Sequence, residues 1–92
     1  MKAPVKFEHI YRANAKRVPA ATRKIILSEN WINTAINVAE PNTPMGILFD
    51  VYQDHVSPDN DNNDFSCSPC RQSVLSEWKK LEPYLKELED GH

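Results

Sequence analysis

The placement of proline constrains this chain more than any other feature. Seven prolines stand against two glycines in 92 residues, which sets defined breaks between elements rather than pliant linkers. A proline's fixed φ suits the first turn of a helix, while its missing N–H and its ring stop a helix that runs into it. Pro19 opens a stretch in which Ile25, Ser28, Ile32, Ala35, Ile36 and Ala39 recur at spacings of three and four, with Trp31 widening the face. Pro41 closes that stretch, because the residue before a proline is steered away from helical geometry.

Two further helices follow the same punctuation. Thr43 is a natural N-cap with Pro44 behind it. Met45, Leu48, Phe49, Tyr52 and Val56 then form an amphipathic stripe, Asp50, Gln53 and Asp54 take the opposite side, and Ser57-Pro58 ends the helix. Residues 57–66 are turn-formers apart from Phe65. The third helix begins around Ser68-Pro69, with Val74, Trp78, Leu81, Leu85 and Leu88 as a heptad-like seam. Pro83 interrupts that seam, so a kink or two short helices is expected there. Glu82, Glu87, Glu89 and Asp90 oppose the helix dipole near its C-terminal end, which predicts fraying past Leu88.

These stretches predict a mainly α protein, a cluster of about three antiparallel helices over residues 19–92. Residues 1–18 show no sustained period, and the alternation of Val5, Phe7 and His9 with Lys6 and Glu8 suits an extended arm. A chain of this size buries roughly 60–65% of its unfolded surface, enough for a modest core. No run approaches the ~18 apolar residues of a membrane helix, and Met1–Lys6 lacks the apolar centre of a signal peptide. No membrane association is therefore expected. The expected setting is cytoplasmic, with the two cysteines reduced or on metal.

Charge is divided unevenly. Residues 1–24 carry seven Lys and Arg against Glu8 alone, a net +6, while the other 68 carry four against twelve acids, a net −8. The overall charge of −2 conceals this split. It suggests that Lys2, Lys6, Arg12, Lys16, Arg17, Arg23 and Lys24, with Phe7 and Tyr11 as apolar anchors, meet an acidic partner. A protein neighbour, including the acidic half of a second copy, is the leading expectation. Nucleic acid is the alternative, with cations on phosphates and aromatics stacked on bases. No helix-turn-helix or RNA-binding fingerprint accompanies the arm.

The sharpest local motif is Cys67-Ser68-Pro69-Cys70. Two cysteines three apart at a helix start can hold half of a tetrahedral zinc site, and His55, across the loop, is the third candidate ligand. His9, Asp54 or Asp64 would supply the fourth. The same pair at a helix N-terminus is how disulfide oxidoreductases lower a thiol pKa, but those proteins mount it on a strand–helix unit, which these residues do not form. The simplest reading has both cysteines reduced, one buried and one at a cap. Asp59-x-Asp61-x-Asn63 opens like a calcium loop, yet the glycine position is Asp64 and the glutamate position is Cys70. The three histidines have no nucleophile at a suggestive spacing, and no acid pair sits in an apolar pocket. A non-enzymatic protein without a cofactor is therefore expected, with zinc as the alternative.

Leu48-Phe49-Asp50-Val51-Tyr52, Pro58, Cys67–Arg71, Val74-Leu75 and Trp78 together resemble short Cys-x-x-Cys proteins encoded by tailed bacteriophages. The likeness covers about residues 45–82 and has no counterpart to the basic arm. It implies an accessory or structural viral protein, carried in the virion or acting in the host cytoplasm.

Overall fold

The computed structural model describes residues 8–59 and 63–91. Its elements are α1 (Glu8–Arg17), α2 (Ala20–Ser28), α3 (Trp31–Thr34), α4 (Pro44–Val51), a π-helical continuation of α4 over Tyr52–Val56, and α5 (Ser68–Gly91). Among the described residues there is no strand, and the mainly α class holds.

α5 is the spine. Its 24 residues give about 36 Å at roughly 1.5 Å per residue, close to the 41 Å long axis of the molecule. Val74, Trp78, Leu81 and Leu85 are buried as the seam requires, and Leu75 joins them. Pro83 does not split the helix in two: it lies inside one continuous element. The proline's lost backbone bond falls where other elements brace the helix. Tyr84 packs on Tyr11 with ring centroids 6.2 Å apart, and Glu82 accepts from Asn33 Nδ2 at 2.8 Å.

α4 packs on this spine as its stripe predicts, with Met45, Leu48, Phe49, Tyr52 and Val56 all buried. Thr43 Oγ1 caps the helix by accepting the Gly46 N–H at 3.2 Å. Gly46 is buried against the incoming chain, and a Cβ there would stand 3.0 Å from the Glu40 carbonyl oxygen and 3.2 Å from Pro41 Cα. Further along, Ser57 N–H bonds to the Tyr52 carbonyl, the i→i+5 spacing of a π turn. Beside that junction the Trp78 indole N–H donates to the Leu48 carbonyl at 2.9 Å, inside the core. Tyr52 and Trp78 meet edge to face at 6.3 Å, and burial pushes the Tyr52 phenol above its ordinary pKa.

Two expectations are corrected here. Residues 8–17 are not an extended arm but a helix, because Tyr11, Ala15 and Val18 make a stripe at i, i+4 and i+7 that docks on α5 and the π segment. Ala15 and Val18 are fully buried. The single helix expected from Pro19 to Ala39 is also broken. Asn30 adopts a left-handed φ of 57°, a conformation that asparagine tolerates better than most non-glycine residues. α2 ends there, α3 makes one turn, and residues 35–40 run without helix. The buried face also turns: Ile26 and Ile32 are inside, whereas Ile25 is 49% exposed and Ile36 is 67% exposed.

Candidate functional site

Two basic residues of the N-terminal segment, Arg12 and Arg23, are held by the same molecule's acids. On α1, Arg12 forms a fork with Glu87 of α5, Nε to Oε1 at 3.1 Å and Nη2 to Oε2 at 3.3 Å. Its guanidinium also lies 5.4 Å from the centroid of the Tyr84 ring. Arg17 Nη1 donates to the Val56 carbonyl at 3.0 Å and so caps the π segment. On α2, Arg23 Nε meets Glu89 Oε2 at 2.6 Å, with only 15% and 24% of the two side chains exposed. Glu87 and Glu89, two of the acids expected to fray α5, are thus paired, and the helix runs on past Leu88 to Gly91.

Of the predicted arm residues, Tyr11 is partly buried and packs against the core, and Arg12, Arg17 and Arg23 are braces. Lys16 and Lys24 are exposed, and Lys2, Lys6 and Phe7 lie outside the described residues. Lys24 sits where two adjoining grooves meet between α2 and the end of α5. One, of about 400 Å³, is lined by Lys24, Leu27, Ser28, Lys86, Glu89 and Asp90. The other, of about 490 Å³, adds Ala20, Ala21 and the half-exposed Ile25. Ile25 therefore belongs to this surface and not to the core face assigned to it by its spacing.

The cysteine pair stands at the start of α5. Cys67 acts as the cap: its carbonyl accepts the Arg71 N–H at 3.0 Å and its Sγ accepts the Cys70 N–H at 3.3 Å, the pattern a serine or aspartate makes at an N-cap. Both thiols are free and half-buried. The neighbouring Cys67 side chain, with burial second, raises the Cys70 pKa. His55 lies exposed on the π segment. Among the described residues no three His, Cys, Asp or Glu side chains come together as a metal-holding group, so His55 is not brought beside Cys67 and Cys70. Asp64, the other acid near the pair, is used in a turn. Its Oδ1 accepts from Ser66 N–H at 3.0 Å and Ser66 Oγ at 2.6 Å, which holds its carboxyl below the usual range.

A buried network that the sequence pattern did not single out fixes this corner. Arg71 is only 7% exposed, and it donates to the Phe65 carbonyl at 2.7 Å and to Asn37 Oδ1. Asn37 Nδ2 in turn reaches the Ser68 carbonyl at 3.2 Å. Arg71 thereby ties the segment after α3, the loop before α5 and the cysteine turn into one unit. An arginine next to a cysteine pair is the only trace of this in the sequence, and Asn37, an asparagine in an irregular stretch, leaves none.

The fold and these surfaces define a class, a small helical protein with α1 and α2 braced on α5 and an open α2–α5 face. No family model matches the chain, and comparison with curated proteins and with solved structures finds no match either.

Proposed function

We propose that the protein is a non-enzymatic interaction module whose α2–α5 face receives an acidic protein segment carrying an apolar anchor. One observation carries this reading: the half-exposed Ile25 stands beside Lys24 over the paired grooves. Ala20 and Ala21 give a shallow bed for an aliphatic or aromatic side chain. Lys24 and Lys86 offer ammonium groups at the groove for a carboxylate, Lys86 being only 3.8 Å from Glu82 and largely exposed. The reading keeps the protein partner expected from the basic segment and moves its seat from the arm to α2. Nucleic acid is the weaker partner, because Arg12 and Arg23 are committed to Glu87 and Glu89. An accessory role in a virion or a host cytoplasm is the setting that the likeness over residues 45–82 implies, and it belongs to this proposal.

The test is peptide selection on the immobilised full chain, with counter-selection on Lys24→Glu and Ile25→Asp. Both positions are exposed, so both variants should melt like the wild type. The expected result is an enriched consensus of Asp or Glu beside Leu, Ile or Phe that neither variant retains. Peptides that bind the variants equally well, or tighter binding to labelled DNA or RNA than to any selected peptide, would contradict the reading.

A further inference from the structure

We propose that Cys67 and Cys70 are a thiol–disulfide exchange pair, with Cys67 the attacking sulfur and Cys70 the resolving one, acting on disulfides of small thiols or exposed protein disulfides. Four observations converge on this turn. Both thiols are free and half-exposed, so a disulfide substrate can reach them. The Cys67 sulfur is held in place by the Cys70 N–H at 3.3 Å, at the N-terminal, positive end of a 24-residue helix. The turn is rigidly mounted through Arg71, Asn37 and Ser68. Finally, the buried Arg71 guanidinium, one residue from Cys70, donates to neutral oxygens among the described residues, the Phe65 carbonyl and Asn37 Oδ1, and so keeps its positive charge near the pair. Asp64 is the acid that opposes this charge, and it is exposed and tied to Ser66.

A cap alone does not need this chemistry, since serine, threonine or aspartate at position 67 would serve. A metal site needs ligands that the described residues do not gather. A Cys67–Cys70 disulfide requires Cβ atoms roughly 3.5–4.5 Å apart, so the cap and the first turn of α5 must close to that separation. In the reaction, the Cys67 thiolate attacks one sulfur of the substrate disulfide. The Cys67–sulfur bond forms, the substrate bond breaks, and the outer sulfur leaves as a thiolate that takes up a proton. Cys70 loses its proton to solvent and attacks the Cys67 sulfur. The second substrate thiol is displaced. Two electrons pass from the cysteine pair to the substrate, which departs as two thiols, and the protein keeps an internal Cys67–Cys70 disulfide.

The experiment incubates the reduced full chain with oxidised glutathione and follows intact mass with time. The wild type is expected to lose two hydrogens and to carry little bound glutathione. Cys70→Ser is expected to stop as a single stable glutathione adduct on Cys67, and Cys67→Ser to form its adduct roughly tenfold more slowly. Because Cys67→Ser alters the cap, peptide mapping of iodoacetamide labelling on the untouched wild type gives an independent reading, with Cys67 labelled ahead of Cys70. Accumulation of doubly glutathionylated wild type with no internal disulfide would overturn the proposal. So would equal labelling of the two cysteines at the rate of the unfolded chain, or stoichiometric zinc that blocks oxidation.

Discussion

Replacing Trp78 with phenylalanine tests the packing of α4 on α5 at its centre. The indole is fully buried, its N–H reaches the Leu48 carbonyl at 2.9 Å, and its ring meets Tyr52 edge to face. Three losses follow. The indole hydrogen bond contributes about 1 kcal/mol, at the low end for a buried pair because the Leu48 carbonyl also accepts the Tyr52 N–H. Removing two ring carbons from a site that closes incompletely costs about 1.5 kcal/mol, at roughly 0.8 kcal/mol per carbon. Loosening the Tyr52 contact adds about 0.5 kcal/mol. The sum is about 3 kcal/mol, which in a chain of this size lowers Tm by roughly 12–24 °C at about 4–8 °C per kcal/mol. Urea unfolding followed by far-ultraviolet circular dichroism reads the change without depending on tryptophan emission. Trp31→Phe, at a half-buried position, is the control and should cost less than about 1 kcal/mol. A Trp78→Phe loss below about 1 kcal/mol, or no larger than the control, would refute the assignment of Trp78 as the keystone.

Two other perturbations read the structure elsewhere. Gly46→Ala places a Cβ 3.0 Å from the Glu40 carbonyl oxygen, backbone against backbone, and should destabilise by about 1–3 kcal/mol in urea despite alanine's better helix propensity; a stabilised variant would contradict that close approach. The Asp64 carboxyl is held below its ordinary range, so its stabilising effect is present above the unfolded carboxylate pKa and lost as pH falls through its lower folded value. Asp64→Asn should therefore lower the urea midpoint near neutral pH and match the wild type once the Asp64 carboxyl is protonated in both the folded and the unfolded state; a constant gap at every pH would show that the turn does not depend on the charge.

How much of this was legible follows from residue size and spacing. α4 and the seam of α5 were readable because their large apolar residues fall on one stripe, bounded by Thr43-Pro44 and Ser57-Pro58 or opened by the turn before Pro69. α1 was not, because its stripe runs through Ala15, whose small side chain carries little periodic signal yet is fully buried. In α2, Ile25, Ile26 and Leu27 are consecutive, so the buried face is chosen by packing and not by pattern. The Asn30 break depends on a backbone conformation that asparagine permits but does not demand. The acids of α5 look unfavourable on an isolated helix and become sensible only with Arg12 and Arg23 opposite them. At the cysteine motif, the sequence marked the pair but not its mount, since Asn37 and Arg71 are 34 residues apart.

The central claim is that Arg12 and Arg23 brace α1 and α2 against the acids of α5, leaving the rest of α2 as the proposed partner face. A double-mutant cycle in urea tests it most directly, using Arg23→Ala and Glu89→Ala, with Arg12→Ala and Glu87→Ala as the exposed comparison. The Arg23–Glu89 pair is largely shielded and charge-assisted, so its coupling is expected at about 1.5 kcal/mol. The Arg12–Glu87 pair, with 46% and 57% of its side chains exposed, should give about 0.5 kcal/mol and lose it in salt. Couplings in that order mean that the N-terminal segment is folded onto α5. Zero coupling for Arg23 and Glu89, with both single variants as stable as the wild type, would mean that the basic residues are not held there and that a free arm must be reinstated.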